Sequence, residues 1–339
     1  MMTLIDRTAT TARYLSQRPA ERLRIGVTPH QVVFRQNKAT LRYFPSTHPQ
    51  GQQHTPIFVS MPLINKWEVW DLLPGRSVME DLTAAGVPVY LLDWGTPGPE
   101  DQAITLGKLV DDLLVRMFDR ARRHAGQALD AVGYCVGGTF LAVHLSRHES
   151  ARRAAFVCTP IDFHASGRLA VWAQPSCFPV DAAIDGFGNY PGRVIREAFS
   201  WLRPEGQTRK WVGLWEKIED PEFRDLWAAL EKWNTDAVDF PGEAYREYVK
   251  RCYFENTLLK HVGDPGVWML DGKPVDLQNA KIEAHSIAAD RDHIVPPAAA
   301  HALAETWGGA VTTKTVKGGH VAIAANGVIS KSLLEWIRR

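Results

Sequence analysis

From Pro56 to Thr159, short apolar runs of strand length alternate with longer stretches in which apolar residues recur every three or four positions. Pro56-Ile-Phe-Val-Ser60 is bounded by polar residues before it and Met61-Pro62 after it, the pattern of a buried strand. Ser77 to Ala85 reads as a helix that Gly86 can cap. Val87 to Leu92 reads as a central strand ending at Asp93-Trp94-Gly95. Leu106, Val110, Leu113, Met117 and Ala121 then fall on one helical face, with Lys108, Asp112, Arg116 and Arg120 opposite and an end near Gly126. Leu129 to Gly133 is a short strand that turns sharply into the apolar helix Val136 to Ser146, and Ala154 to Thr159 is another strand. Strands alternating with helices in this way predict an α/β chain, doubly wound, whose mostly parallel sheet is joined by right-handed crossovers.

The alternation stops between Ile161 and Asn279, where aromatic-rich helical segments hold seven of the twelve tryptophans. Strand signals return at Ile282 to Ala288 and Val311 to Val316, with helices around Ala298 to Trp307 and after Asn326. A sheet that needs strands from both sides of the break predicts a core of residues 1–160 and 280–339, with 161–279 as an inserted, mainly helical cap lying over the strand ends.

The 339 residues are 45% hydrophobic and 23% charged, the balance of a folded chain. Lys and Arg number 39 against 38 Asp and Glu, so no net field recruits nucleic acid or an anionic membrane. The first residues contain no apolar run of signal-peptide length, and no run approaches the roughly 20 residues of a spanning helix. Cys135, Cys158, Cys177 and Cys252 lack both close metal-ligand spacing and the density of a disulfide scaffold. These features predict a cytoplasmic protein with no transmembrane segment.

Gly133-Tyr-Cys135-Val-Gly-Gly138 stands where a strand turns into a helix and matches the G-x-S-x-G nucleophile elbow with cysteine at the centre. The glycines suit a strained turn whose helix packs closely on the strand. Cys135 would then project from the sheet edge, where the positive end of the helix favours a thiolate and the Val136 N–H can donate to a developing oxyanion. The competing reading is a buried structural cysteine, since free cysteines are among the most buried residues. Asp290-Arg-Asp292-His293 and Gly318-Gly319-His320 follow the last two strand signals. The order nucleophile, acid, histidine is that of the α/β-hydrolase fold. His320 is the candidate base, oriented by a carboxylate from Asp292 or its rival Asp290. The second oxyanion donor is expected from a backbone N–H near Leu63 or Ile64. Cys158 reads as packing within an apolar strand. The histidines show no metal-ligand pattern, so no metal is expected. Trp201, Trp211, Trp215, Trp227 and Trp233 read as the core of the cap, with a few aromatics lining an acyl channel.

With these elements in place, the chain resembles polyhydroxyalkanoate synthases, most closely the short catalytic subunit of the class III type. The similarity runs from about Pro56 to the C-terminus. It includes Pro62-Leu-Ile-Asn65 with Asp71-Leu72, Leu92-Asp-Trp-Gly95, Gly133 to Thr139, Thr159-Pro-Ile-Asp-Phe163, Gly188-Asn-Tyr-Pro-Gly192, Glu255-Asn256 with Leu258, and Asp292-His293 with Val295-Pro296-Pro297. The resemblance implies a triad of Cys135, Asp292 and His320, and it favours Asp292 over Asp290. Val136 and Ile64 would supply the oxyanion amides. It further implies acyl transfer from a 3-hydroxyacyl-CoA thioester to a growing polyester chain, with no bound cofactor. The implied setting is an oligomer with a second, noncatalytic subunit, in the cytoplasm at the surface of polymer granules. His261 to Lys273 is longer than the family's usual turn, and the resemblance implies the short form, without the long N-terminal domain of class I synthases. Two other functions fit the same motifs: a cysteine-triad hydrolase of the dienelactone hydrolase kind, and a noncatalytic granule or assembly subunit. The dienelactone hydrolase type is compact and lacks an insertion like residues 161–279.

Overall fold

A computed structural model describes residues 3–339. Eight strands form the main sheet: β1 (Gln31–Gln36), β2 (Ala39–Phe44), β3 (Ile57–Ser60), β4 (Val89–Asp93), β5 (Asp130–Tyr134), β6 (Arg153–Val157), β7 (Glu283–Ala289) and β8 (Val311–Val316). Their spatial order is β1-β2-β4-β3-β5-β6-β7-β8, with β2 antiparallel to both neighbours and every pairing from β4 to β8 parallel. All residues of β3 and β5 are buried, as expected of central strands covered on both faces. The expected strands are present, with ends displaced by a residue or two.

Helices α1 (Leu4–Ser16), α2 (Val78–Ala84), α3 (Leu114–Ala125) and α4 (Cys135–Leu145) belong to the first half. Ser77 caps α2 by accepting from the Glu80 N–H, and Gly126 ends α3 at φ +67°. The continuous helix expected from Leu106 is instead a π-helical segment, Lys108–Leu113, running into α3. The extra residue in that turn is invisible to a 3.6-residue periodicity. The helix expected around Ala298 to Trp307 is likewise two short ones, Pro297–His301 and Leu303–Thr306.

The β1–β2 hairpin has no counterpart among the sequence expectations. β1 is an edge strand with mostly exposed or half-buried positions, and Gln31, Arg35 and Gln36 erase the apolar signal of a strand. It is joined to β2 through Asn37 at φ +52°.

The chain leaves the sheet after β6 and re-enters it at β7. Between them lie, among other short elements, α5 (Gly192–Leu202), α6 (Pro204–Glu216), α7 (Pro221–Thr235) and α8 (Gly242–Tyr248), and a two-residue hairpin, Met269–Leu270 with Lys273–Pro274. Ile184, Ile195, Trp233, Phe240 and Tyr248 from this stretch join the same buried apolar cluster as the sheet. The link is also polar: the Val238 N–H donates to the Ile64 carbonyl at 3.2 Å, and Trp233 Nε1 donates to the Lys66 carbonyl at 2.7 Å. The chain then closes with α9 (Val328–Ile337).

Every residue of α4 is buried, so its one titratable side chain besides Cys135 must be satisfied internally. His144 Nδ1–H donates to the Val110 carbonyl at 2.9 Å, Nε2 accepts from Ser150 Oγ at 2.8 Å, and the ring stacks on Phe118. Burial pushes its pKa down from 6.5 to about 4. A depressed folded-state value means stability that is full above 6.5 and lost as pH falls toward 4, by on the order of 3 kcal/mol. Urea denaturation at pH 7 and pH 4 checks this: His144→Gln should lose less stability between the two than the unaltered protein does.

Candidate active site

The parallel strands β3 and β5 end beside each other, and α4 begins at that point with almost no room to spare. A Cβ on Gly133 would collide with Gly138 Cα, one on Gly138 with Thr159 Oγ1, and one on Gly137 with the Met61 carbonyl. The sequence therefore carries glycine at all three positions and confines its one reactive side chain to the turn itself. There Cys135 adopts φ +51°, a left-handed conformation that costs a non-glycine residue about 1–3 kcal/mol. Ser60 Oγ donates to the Gly137 carbonyl at 2.9 Å and Trp94 Nε1 to the Met61 carbonyl at 2.6 Å, which ties the helix start and the loop after β3 together.

Asp292 and His320 come from the loops after β7 and β8. His320 Nδ1 lies 2.6 Å from Asp292 Oδ2, while the Ile294 and Val295 amides both donate to Asp292 Oδ1 at 2.9 Å. Asp290, the rival acid, instead accepts from the Gly318 N–H at 2.8 Å and only steadies the turn that carries His320. Tyr134, the residue before Cys135, donates its hydroxyl to the His320 carbonyl at 2.9 Å and stacks on the ring. Burial opposes charging His320, but Asp292, with smaller contributions from Tyr134 and Cys135, outweighs it and holds the imidazole pKa well above 6.5. Burial likewise opposes ionising Asp292, and the charge and hydrogen bond of His320 with the two amides win and lower its pKa.

A cavity of about 810 Å³ opens over these residues. Cys135 and His320 line it, with Ile64 from the loop after β3 and Ile195, Trp201 and Trp233 from the stretch between β6 and β7. Val136 lies in the first turn of α4, where backbone N–H groups have no helical partner. The Ile64 N–H has no hydrogen-bond acceptor among the described residues. A second, smaller cavity of about 90 Å³ touches both Ile64 and Val136, and its walls include Phe178, Tyr190, Phe240, Tyr248 and Tyr253. The aromatic lining of this smaller cavity is thus phenylalanine and tyrosine. Of the tryptophans expected in the core of the insertion, Trp227 and Trp233 are buried, whereas Trp201 and Trp211 are exposed; Trp215 Nε1 donates to Thr8 in α1.

Two residues near the dyad escaped the sequence reading of site residues. His293 lines the cavity with its buried Nδ1 unpartnered among the described residues. Cys158, expected to be packing inside a strand, lies one residue past β6, and its sulfur comes within 4.8 Å of an Asp292 oxygen and a His320 ring nitrogen. The signal for Cys158 is its strand: β6 ends beside β5, so the residue after it neighbours the elbow. Cys158, Asp292 and His320 also form, among the described residues, a group of three whose metal-ligand atoms lie within 4.8 Å of one another, but Asp292 and His320 bond each other there.

No family model matches the chain. Its backbone resembles an enol-lactonase from Burkholderia xenovorans LB400 (TM-score 0.51, 17% identity, 92% of this chain and 100% of that one). It also resembles an esterase from Exiguobacterium antarcticum (TM-score 0.51, 13% identity, 89% and 96%). Sheet order and these likenesses define an α/β-hydrolase fold. In sequence the chain is 32% identical over 321 residues to the poly(3-hydroxyalkanoate) polymerase subunit PhaC of Allochromatium vinosum, covering 93% of this chain and 88% of the relative. The PhaC subunit of Thiocystis violacea is 31% identical over 320 residues with the same coverage. That of Haloferax mediterranei is 31% identical over 300 residues, of which this chain spans 59% of the length. The chain belongs to the poly(3-hydroxyalkanoate) polymerase subunit PhaC family.

Replacing Asp292 with asparagine removes the charge that raises the His320 pKa and leaves burial to lower it. NMR titration of the ring should find His320 at or below 6.5 in Asp292→Asn, and unchanged from the parent in Asp290→Asn.

Proposed function

We propose that the protein is an acyltransferase that polymerises 3-hydroxyacyl-CoA thioesters into polyhydroxyalkanoate through an acyl-cysteine on Cys135. The observation that carries this reading is a cysteine held at φ +51° at the mouth of a helix, opening into the same cavity as an imidazole whose Nδ1 is committed to a carboxylate. That commitment leaves Nε2 of His320 for proton transfer.

In the first step His320 takes the Cys135 proton and the sulfur attacks the thioester carbon. The C–S bond to CoA breaks, and CoA sulfur leaves with the proton from the imidazolium. The Val136 and Ile64 amides face the oxyanion of each tetrahedral intermediate. In the second step the 3-hydroxyl of another substrate gives its proton to His320 and its oxygen attacks the acyl carbon. The C–S bond to Cys135 breaks, and the proton passes to the departing sulfur. The elongated thioester can reload Cys135, so repetition lengthens the chain. Exchange of one thioester for another is nearly isoenergetic, which keeps the acyl-cysteine reactive toward an alcohol.

Water competes for the same intermediate. The stretch 161–279 acts in this proposal as a lid domain on a core of residues 1–160 and 280–339, and its apolar aromatic wall disfavours hydrolysis. Because the relatives are named as subunits, the proposal includes a second, noncatalytic subunit, with the assembly in the cytoplasm at the granule surface. The exposed side chains of Trp201, Trp211 and Val212 support such a contact. No helix among the described residues is long and apolar enough to cross a membrane.

Incubation with 3-hydroxybutyryl-CoA, followed by assay of CoA release and product size, tests the reading. Polymer is expected; monomeric acid would make the protein a hydrolase, and no CoA release would leave it a noncatalytic component. Cys135→Ala should lower CoA release by about 10³-fold or more. The reacting imidazole must be unprotonated to accept the hydroxyl proton, and its pKa is raised, so the rate should rise with pH through a midpoint above 6.5.

A further inference from the structure

Cys158 is fully buried and absent from the cavity wall, so no substrate reaches it. Its position is nonetheless tied to the chemistry. Tyr134 pairs with Val157 across β5 and β6, which sets Cys135 and Cys158 side by side just past the ends of neighbouring parallel strands. Cys158 takes φ +45°, a second left-handed residue next to the elbow. Its amide donates to the Ile287 carbonyl of β7 at 2.7 Å, anchoring it to the strand that leads to Asp292. Its sulfur, an Asp292 oxygen and a His320 nitrogen all lie within 4.8 Å of one another.

Burial, assisted by Asp292 and opposed by His320, pushes the Cys158 thiol up to about 11. The group therefore stays an uncharged S–H, a weak donor. Asp292 Oδ1 is already taken by two amides and Oδ2 by His320. The other titratable groups facing His320 are Tyr134 and Cys135 at the elbow, His293 beside Asp292, and Tyr253 from the insertion. Asp292 is the one carboxylate among them.

We propose that Cys158 is a positioning residue for acyl transfer: its thiol packs against Asp292 and His320 and donates S–H to the Asp292 carboxylate. The contact holds the imidazole with Nε2 toward Cys135 and limits how strongly the carboxylate retains a proton on the ring. The inference rests on the acyl-cysteine reading of the site.

The test uses the full chain with Cys158→Ala and Cys158→Ser, each checked for native fold by circular dichroism. Removing the donor returns full charge to Asp292, which stabilises the imidazolium. In Cys158→Ala the rising limb of the pH profile for CoA release should move up by about half a pH unit, a loss of about 3-fold in kcat/KM below the midpoint with KM within about twofold. A hydroxyl is a better donor, so Cys158→Ser should restore the midpoint or lower it. If the alanine variant does not fold, Cys158→Val takes its place with the same expectation. The second readout is the pH dependence of Cys135 alkylation by iodoacetamide, followed by peptide mass, and it should shift in the same variants. Unmoved midpoints in both readouts, in natively folded variants, would overturn the proposal. Absence of CoA release from the unaltered protein would refute the acyl-transfer reading, and the alkylation readout would still decide the role of Cys158.

Discussion

The site depends on how closely one helix start approaches two strand ends. Gly133, Gly137 and Gly138 leave no space for a Cβ between α4, the end of β5, the Met61 carbonyl and Thr159. That closeness places the Cys135 side chain at the edge of the sheet, aims the first free amides of α4 at the same spot, and forces the left-handed turn. A larger residue at any of the three glycines would have to push apart strands that are buried on both faces, where interiors pack like crystals. The strain at Cys135 is small beside the apolar surface that fixes its surroundings.

The histidine arm is built differently. It comes from two loops more than 150 residues along the chain, and its precision rests on hydrogen bonds. Two amides fix the Asp292 carboxylate, the carboxylate fixes the imidazole, and the Tyr134 hydroxyl fixes the His320 backbone from the elbow side. The rigid and the hydrogen-bonded halves thus meet at Tyr134, a residue that belongs to both.

Much of this was legible in the sequence because it is written in local pattern. The buried central strands, the glycines of the elbow and the strand-end positions of Asp292 and His320 all follow from short-range periodicity and turn chemistry. What escaped depends on long-range pairing. β1 is an exposed edge with polar residues, so only its pairing with β2 reveals it. The choice between Asp290 and Asp292 lies in which loop each carboxylate braces, which no spacing records. Cys158 reads as one more apolar position until the register of β5 and β6 sets it beside the elbow. The tryptophans divide: Trp227 and Trp233 are buried and Trp201 and Trp233 line the cavity, while the smaller cavity that touches Ile64 and Val136 is walled by phenylalanine and tyrosine.

Two hydrogen bonds couple regions far apart in the chain. The Ile64 carbonyl is held by the Val238 N–H, and the neighbouring Lys66 carbonyl by the Trp233 indole. The loop whose Ile64 amide is proposed to face the reacting carbonyl is therefore tied, one peptide further on, to the stretch between β6 and β7. On the proposed reading, movement of that stretch away from the sheet would free the loop at the same moment that bulk solvent enters. Access and competence would then be set against each other by one backbone and one indole hydrogen bond, so an open site would also be a disarmed one.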